Sequence, residues 1–549
     1  MKQLTLFYIF FSCFALILHA QPKQELRAVW LTTLEGLDWP STKGTSIAVE
    51  QKQKQELCRI LDQLKRANVN TVLYQARIRG TVTYPSAIEP WDGCVSGTFG
   101  KAPNYDPLQF AIEEAHKRGM ELHAWVVTVP AGKWNVSYGA KRLRQKFPSL
   151  IRHVGEDAVM NPEDPRTAEY ISSICEEITR NYDVDGIHLD YIRYHENYPL
   201  RISRQQAREN ITRIVRTIHQ KVKDLKPWVK LSCSPLGKFD DLTRYPSGGW
   251  NAYNKVCQDA QGWLRDGLMD QLFPMMYYDD KNYYPFAADW SENRYGREIA
   301  AGLGIYRLIR SEGNWSLDAI KRQMHVARDL GLGHCYFRSR FLTDNTKGLY
   351  DFVCDFDEYP AVVPPMQVNQ PVPQAPSSLQ IDRTADGDLL RWDGATDTSN
   401  GDYLTYNVYA STNYPVDIND ARNLIAIRLM QQQFSVHRSA NDAPLHYVVT
   451  AVNRYGIESR PANTQQEKPI TTTSDTGLIP NDGYSLQVPN FNELPQADNL
   501  AIYTMPGNII ATKPFGPVVS ISELPKGVYE LRTLNEKGDS HHIGYFLLK

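Results

Sequence analysis

The stretch Val184-Asp185-Gly186-Ile187-His188-Leu189-Asp190-Tyr191-Ile192-Arg193-Tyr194 carries the most concentrated chemistry in the chain. Asp185-Gly186 is a turn signal, and the residues after it alternate with period two. As a strand, this run puts His188 and Asp190 on one face, opposite Ile187, Leu189 and Tyr191. A buried parallel strand normally reads as unbroken aliphatics, so an imidazole and a carboxylate inside one need a purpose. Asp190, at the strand's C-terminal end, is the candidate catalytic carboxylate, with a structural aspartate held by Arg193 or by a following helix N-terminus as the alternative. Hydrolysis of a glycosidic bond needs two carboxyls, one to protonate the leaving oxygen and one to act as nucleophile or base. Asp279, at the end of Met275-Met276-Tyr277-Tyr278-Asp279-Asp280, is the proposed second. Asp38 and Glu89 are further candidates, and Glu35 is a weaker one.

Other polar and aromatic residues fall in phase on neighbouring segments. Gln75 and Arg77 alternate together, as do His123 and Trp125. Trp39 stands beside Asp38, Glu89 and Trp91 belong to a long loop after Arg77, and Tyr278 precedes Asp279. The expected substrate-binding set is therefore Asp38, Trp39, Arg77, Glu89, Trp91, His123, Trp125, His188, Arg193 and Tyr278. No metal site or organic cofactor is expected. The chain has no H-E-x-x-H, G-x-S-x-G or phosphate-loop motif, and its histidines are too scattered for a metal-dependent deacetylase.

Positioning such residues requires a scaffold. From about Glu25 to Asp355 strand-like and helix-like segments alternate. The strands expected are 26–34, 71–77, 121–129, 186–193, 230–236, 271–278, 298–306 and 334–341. Helices are expected at 49–67, 107–118, 165–181, 204–225, 254–266 and 317–330, with a poorly formed one within 283–294. Gly119 and Gly331 stand where C-caps belong, and the first helix lacks a clean N-cap. Eight alternations predict a (β/α)8 barrel over residues 25–361, with a doubly wound sheet as the alternative. A Pro-rich linker follows at 362–376, then two small all-β sandwich domains at 377–466 and 477–549. A fragment ending near Val363 is expected to fold alone.

The totals set limits. The 549 residues suggest several domains, and Lys+Arg of 60 against Asp+Glu of 62 argues against a nucleic-acid partner. Eleven Trp and 31 Tyr suit a carbohydrate surface. Residues 1–20 read as an export signal, with an apolar run from Leu4 to Leu18. No later run is long enough for a membrane span. Residues 58, 94, 175, 233, 257, 335 and 354 are cysteines without C-x-x-C spacing, so buried free thiols are expected. Location in the periplasm, on the cell surface or outside the cell follows; oligomeric state does not.

Several motifs carry a resemblance. Leu26-Arg27-Ala28-Val29-Trp30-Leu31-Thr32-Thr33, Leu37-Asp38-Trp39-Pro40, Ala87-Ile88-Glu89-Pro90-Trp91, 115–125 and 185–194 resemble the glycosyl-hydrolase-like 10 family, once catalogued as domain of unknown function 187. The resemblance implies a (β/α)8 barrel, with Asp190 at the family's fourth-strand acid. For at least some members it implies action on peptidoglycan strands stripped of peptides. Many relatives read Asp-Asp-Tyr where this chain has Asp190-Tyr191-Ile192. Residues 377–466 resemble a fibronectin type III module, and 477–549 resemble the C-terminal β domain of the type IX secretion route. The function expected is an exported glycoside hydrolase acting on a cell-wall or amino-sugar polysaccharide. The alternative is a non-catalytic carbohydrate-binding or surface-assembly protein on the same barrel.

Overall fold

The computed structural model describes residues 21–549 except 385–386, 439–441, 463–464, 467–477, 482, 490, 492–493, 496, 506, 536–539 and 549. The export signal at 1–20 lies outside the described residues, as does the Gly477 end of the last expected domain. Eight parallel strands close a barrel. They are β1 (Arg27–Leu31), β2 (Thr71–Arg77), β3 (Glu121–Val127), β4 (Gly186–Asp190), β5 (Lys230–Cys233), β6 (Gln271–Leu272), β7 (Glu298–Leu303) and β8 (Gly333–Tyr336). Each pairs with its sequence neighbours, and β1 pairs with β8 to complete the ring. This is the (β/α)8 barrel expected from the alternation.

The outer helices are α1 (Ile47–Arg66), α2 (Pro107–His116), α3 (Pro165–Asn181), α4 (Arg204–Leu225), α5 (Ala260–Arg265), α6 (Asp280–Glu292), α7 (Leu317–Asp329) and α8 (Leu349–Phe356). Their ends follow side-chain chemistry. Asp164 caps α3 by accepting from Arg166 N–H ahead of Pro165 at the first helical position. The first helix does have a cap, because Ser46 accepts from Val49 N–H. Gly119 and Gly331 take left-handed conformations after α2 and α7.

Two apolar layers result. Ala28, Trp30, Leu73, Trp125, Phe273 and Cys335 cluster inside the barrel, and a larger cluster fills the space between barrel and helices. Between β3 and β4 the chain makes an excursion that the sequence did not announce. Strands Pro130–Lys133, Ile151–Val154 and Asp157–Met160 form a small antiparallel sheet, with helix Tyr138–Lys146 between the first two. Among the described residues no helix is long and apolar enough to cross a membrane. All seven described cysteines are free thiols, five of them buried.

The chain forms two compact units. The first holds the barrel together with Ala395–Met430 and Val449–Pro461; the second holds Pro376–Gly394, Gln431–Val448 and Ala462–Lys549. The segment 377–466 is thus shared between the units. Within the first, Arg428 and Arg454 reach the N-terminal face of the barrel. Arg428 pairs with Asp185 at 2.6 Å and Glu121 at 3.2 Å, and Arg454 with Asp183 at 2.6 Å. Lys230 bonds Glu121 from β5 at 2.5 Å. Burial alone would raise Glu121, but Lys230, His123 and Arg428 outweigh it and hold the carboxyl down at about 2. Burial likewise opposes ionisation of Asp185, and Arg428, His116 and Arg454 reverse it, leaving that carboxyl well below the usual range. The second unit contains two four-stranded sheets, and Leu500, Ile502, Leu531 and Phe546 lie in its core.

Candidate active site

Asp190 ends β4 at the C-terminal mouth of the barrel, where catalytic groups of this architecture gather. Its side chain is buried and held by three donors. Ser234 Oγ donates to Oδ1 at 2.8 Å, the Tyr191 backbone N–H to Oδ1 at 2.8 Å, and the Trp125 indole N–H to Oδ2 at 3.2 Å. Burial pushes the Asp190 carboxyl up from its ordinary value, against the pull of Arg193 and of these donors. Oδ1 is doubly engaged, so Oδ2 keeps the lone pair that a proton or an electrophilic carbon would meet. Tyr191, immediately after, is left-handed at φ 54. A non-glycine residue held there carries strain of the kind that collects at functional sites.

Around this carboxylate stand other polar groups. The Arg193 guanidinium lies over the Tyr191 ring at 4.1 Å and donates to Glu196 at 3.1 Å. Its Nε and Nη1 are buried and meet no acceptor among the described residues, and the same is true of the Tyr277 hydroxyl. Burial, Cys335 and the Asp190 charge together raise the Tyr277 phenol. Tyr278 is half-buried, with Lys238 Nζ 5.7 Å from its ring centre. Asp279 is exposed at the start of α6 and accepts no capping bond. Ser234, Tyr277 and Lys238 went unnoticed in the sequence, although Ser234 shares a phase with Lys230 and Ser232 on the expected fifth strand.

Other candidates are placed elsewhere. His188 lies a layer deeper, fully buried. Trp30 donates to its Nε2 at 3.2 Å, which makes Nδ1 the protonated nitrogen facing Ser232 Oγ at 3.0 Å. Burial, with His123 adding to it, drives the imidazole well below its ordinary value, so it is neutral. His123 is lower still, bonded to Glu121 at 3.1 Å and pressed against Gly186, where a Cβ would meet its Nδ1 at 2.6 Å. Both histidines belong to the barrel interior, not to the mouth.

Arg77 also leaves the expected face. The β2–β3 register slips between Gln75 and Arg77, and such a bulge re-aims the following side chain. Arg77 turns to the helix layer and grips Glu89 through Nε and Nη2, at 2.8 and 2.7 Å, while the Tyr170 hydroxyl of α3 donates to Glu89 at 2.9 Å. Asp38 accepts from Thr32 N–H at 2.8 Å and is ion-paired with Arg338. Trp39 is fully buried, its indole N–H on the Gln53 carbonyl at 2.8 Å, and so offers no ring face to a ligand. Trp91 is half-buried, its backbone bridged to Val82. The structure therefore brings Asp190, Trp125 and Arg193 together, with Tyr278 close by.

A cluster of Glu25, His334 and Asp357 has the makings of a metal set at the opposite end of the barrel. Two arginines already fill it. Arg328 Nη2 lies 2.6 Å from both carboxylates and Arg27 Nε 2.8 Å from Glu25, which identifies an ion-pair network.

Residues 25–207 and 200–306 match the profile of the family described as Glycosyl hydrolase-like 10. The chain belongs to that family. It is 28% identical over 489 residues to the glycosyl hydrolase YngK of Bacillus subtilis, covering 80% of this chain and 93% of that protein. It is 31% identical over 292 residues to the glycosyl hydrolase DigH of Escherichia coli K12, covering 47% of this chain and 66% of that one. Among solved structures, α-L-fucosidase isoenzyme 2 from Paenibacillus thiaminolyticus aligns at a TM-score of 0.41 and 15% identity, over 61% of this chain and 50% of that one.

Proposed function

We propose that the chain is an exported glycoside hydrolase acting on a bacterial cell-wall or amino-sugar polysaccharide, with peptide-free peptidoglycan strands as the first substrate to test. The observation that carries this reading is the seating of Asp190. A carboxylate fixed by three donors, raised by burial and set at the mouth of a glycosidase-family barrel suits attack on, or charge stabilisation of, an anomeric carbon. The Arg193 guanidinium, with two nitrogens that meet no acceptor among the described residues, supplies the positive charge beside this carboxylate. Asp279 is the proposed partner because Asp38 and Glu89 are each bound to an arginine. We carry the fibronectin-like and sorting assignments of 377–466 and 477–549 as part of the same reading, with deletion of 477–549 expected to change the protein's location.

The test is Asp190→Asn in the full chain, assayed for reducing ends released from peptide-free strands. Loss of about 10³-fold or more in kcat/KM with strand binding retained supports it. Near-normal turnover by a variant that melts early makes Asp190 structural. The same ion pairs favour a second reading, in which the barrel binds glycan without cleaving it. Strand binding by the wild-type chain with no release of reducing ends would establish that reading.

A further inference from the structure

We propose that a cavity on the Asp190 face of the barrel is a subsite for a sugar unit bearing a carboxylate; the proposal rests on the glycan-acting reading above. The cavity, of about 530 Å³, opens among the loops that follow β1, β2 and β3, on the same face of the barrel as Asp190. Its volume falls in the range of roughly 300–1,000 Å³ typical of small-ligand sites.

Three cations line it: Lys43, Arg79 and Lys141. All three are exposed, and none forms an ion pair among the described residues. Two acids share the lining. Asp92 is engaged by Thr81 Oγ at 2.7 Å and by the Cys94 N–H at 2.8 Å; neutral donors cancel no charge, so Asp92 and Glu35 stand against three cations and leave an excess of one. Phe99 and Tyr138 stack at 5.4 Å, 17° from parallel, on the same wall, and Phe99 is half exposed. An aromatic wall accepts the apolar face of a pyranose, whereas a neutral glycan has no use for a cation left in excess. A carboxylate does, through charge-assisted bonds to guanidinium and ammonium.

The cavity is firmly built and shares the C-terminal face of the barrel with the site. Gly139 packs so closely on the Arg79 carbonyl that a Cβ there would lie 2.1 Å from it, which locks the two walls together. A strand that lies across Asp190 and continues over the loops after β1, β2 and β3 would place another unit's acid among these cations. The acid group has two sources, the lactyl ether of a muramic unit or the carboxyl of a uronic unit.

The test measures binding by the full chain carrying Asp190→Asn, so that ligands survive. The probes are peptide-free muramyl strands and an oligouronate, each beside its carboxyl-reduced counterpart. At least one acid is expected to bind about tenfold tighter than its reduced form at low salt, and which one does so identifies the source. Arg79→Gln with Lys141→Gln should erase that preference and leave affinity for the reduced glycan unchanged. Equal affinity for acid and reduced forms overturns the subsite, as does no binding to either acid or a preference that survives in the double variant. Wild-type turnover separates the two readings. Cleavage indifferent to carboxyl reduction removes the subsite and leaves the hydrolase, whereas acid-selective binding without cleavage does the reverse.

Discussion

The indole N–H of Trp125 meets Oδ2 of Asp190 at 3.2 Å, reaching up from β3, where Trp125 itself is in register with His188. Together with Ser234 and the Tyr191 amide, it favours the ionised carboxylate, while burial favours the neutral acid and prevails. If Asp190 works ionised, activity falls as pH drops through this raised pKa. Ser234→Ala removes one bond to the charged form, so the pKa rises further. The acid limb of kcat/KM should then move to higher pH, by about 0.5–1 unit. A limb that stays in place in an active variant would deny Asp190 an ionised role.

His188 should prove to support the barrel and not the substrate. His188→Ala leaves the Trp30 N–H and the Ser232 hydroxyl without their partner and opens a cavity, at a cost of about 2–4 kcal/mol. Sugar affinity per folded molecule should be unchanged. The pH dependence has a definite sign. Below about pH 6.5 the unfolded chain takes up a proton that the folded imidazole refuses, so wild-type stability falls with pH and the variant lacks this component. Urea unfolding at pH 7.5 and 5.5 checks both statements, and a change in KM without a change in stability would return His188 to a subsite.

Arg428→Gln should destabilise the protein by about 3–5 kcal/mol, because Asp185 and Glu121 would remain buried with part of their counter-charge gone. Both acids are depressed in the folded state. Their contribution is therefore complete above the unfolded value near pH 4.5 and is lost as pH falls towards about 2. Acid unfolding of the variant, followed by circular dichroism, should begin at higher pH than in the wild type. Asp185→Asn in the Arg428→Gln background should recover part of the loss.

A fragment ending at Val363 should be less stable than the full chain and should aggregate. The sequence favoured independent folding of such a fragment, since its apolar core is large and a Pro-rich stretch follows it. The cut, however, removes Arg428 and Arg454 and leaves the acids of the lower barrel face exposed to self-repulsion. Extending the fragment to Pro461 should restore stability, and a thermal melt of the two fragments decides the matter.

The barrel was legible because its strands begin where helix-ending turns place them. The expected starts at Thr71, Glu121, Gly186, Lys230, Gln271 and Glu298 coincide with the observed ones. Strand ends were legible only for the second strand, which stops at Arg77 as expected. The sixth expected strand shrinks to Gln271–Leu272, because Pro274 has no N–H for the ladder. Period-two alternation gave the face of His188 and Asp190 but not their depth, so a core histidine read like a mouth residue. It also failed at Arg77, where a one-residue slip sends the side chain to the other layer. The ties on Asp38 were beyond reach, since Arg338 lies 300 residues away in sequence. Ser234 was within reach of the same phase argument that found Asp190.

The two arginines under the barrel also set a timetable for its birth. Synthesis runs from the N-terminus, and Arg428 follows Asp185 by 243 residues. At about 5–20 residues per second, roughly 10–50 s separate their emergence from the ribosome. All eight strands precede Arg428 in the chain, so the barrel is complete in sequence before Asp185 gains its guanidinium partner. Completion of the lower face therefore waits on a segment that contributes no barrel strand, and a chain that ends or stalls between Val363 and Arg428 keeps Asp185 and Glu121 without their guanidinium partner.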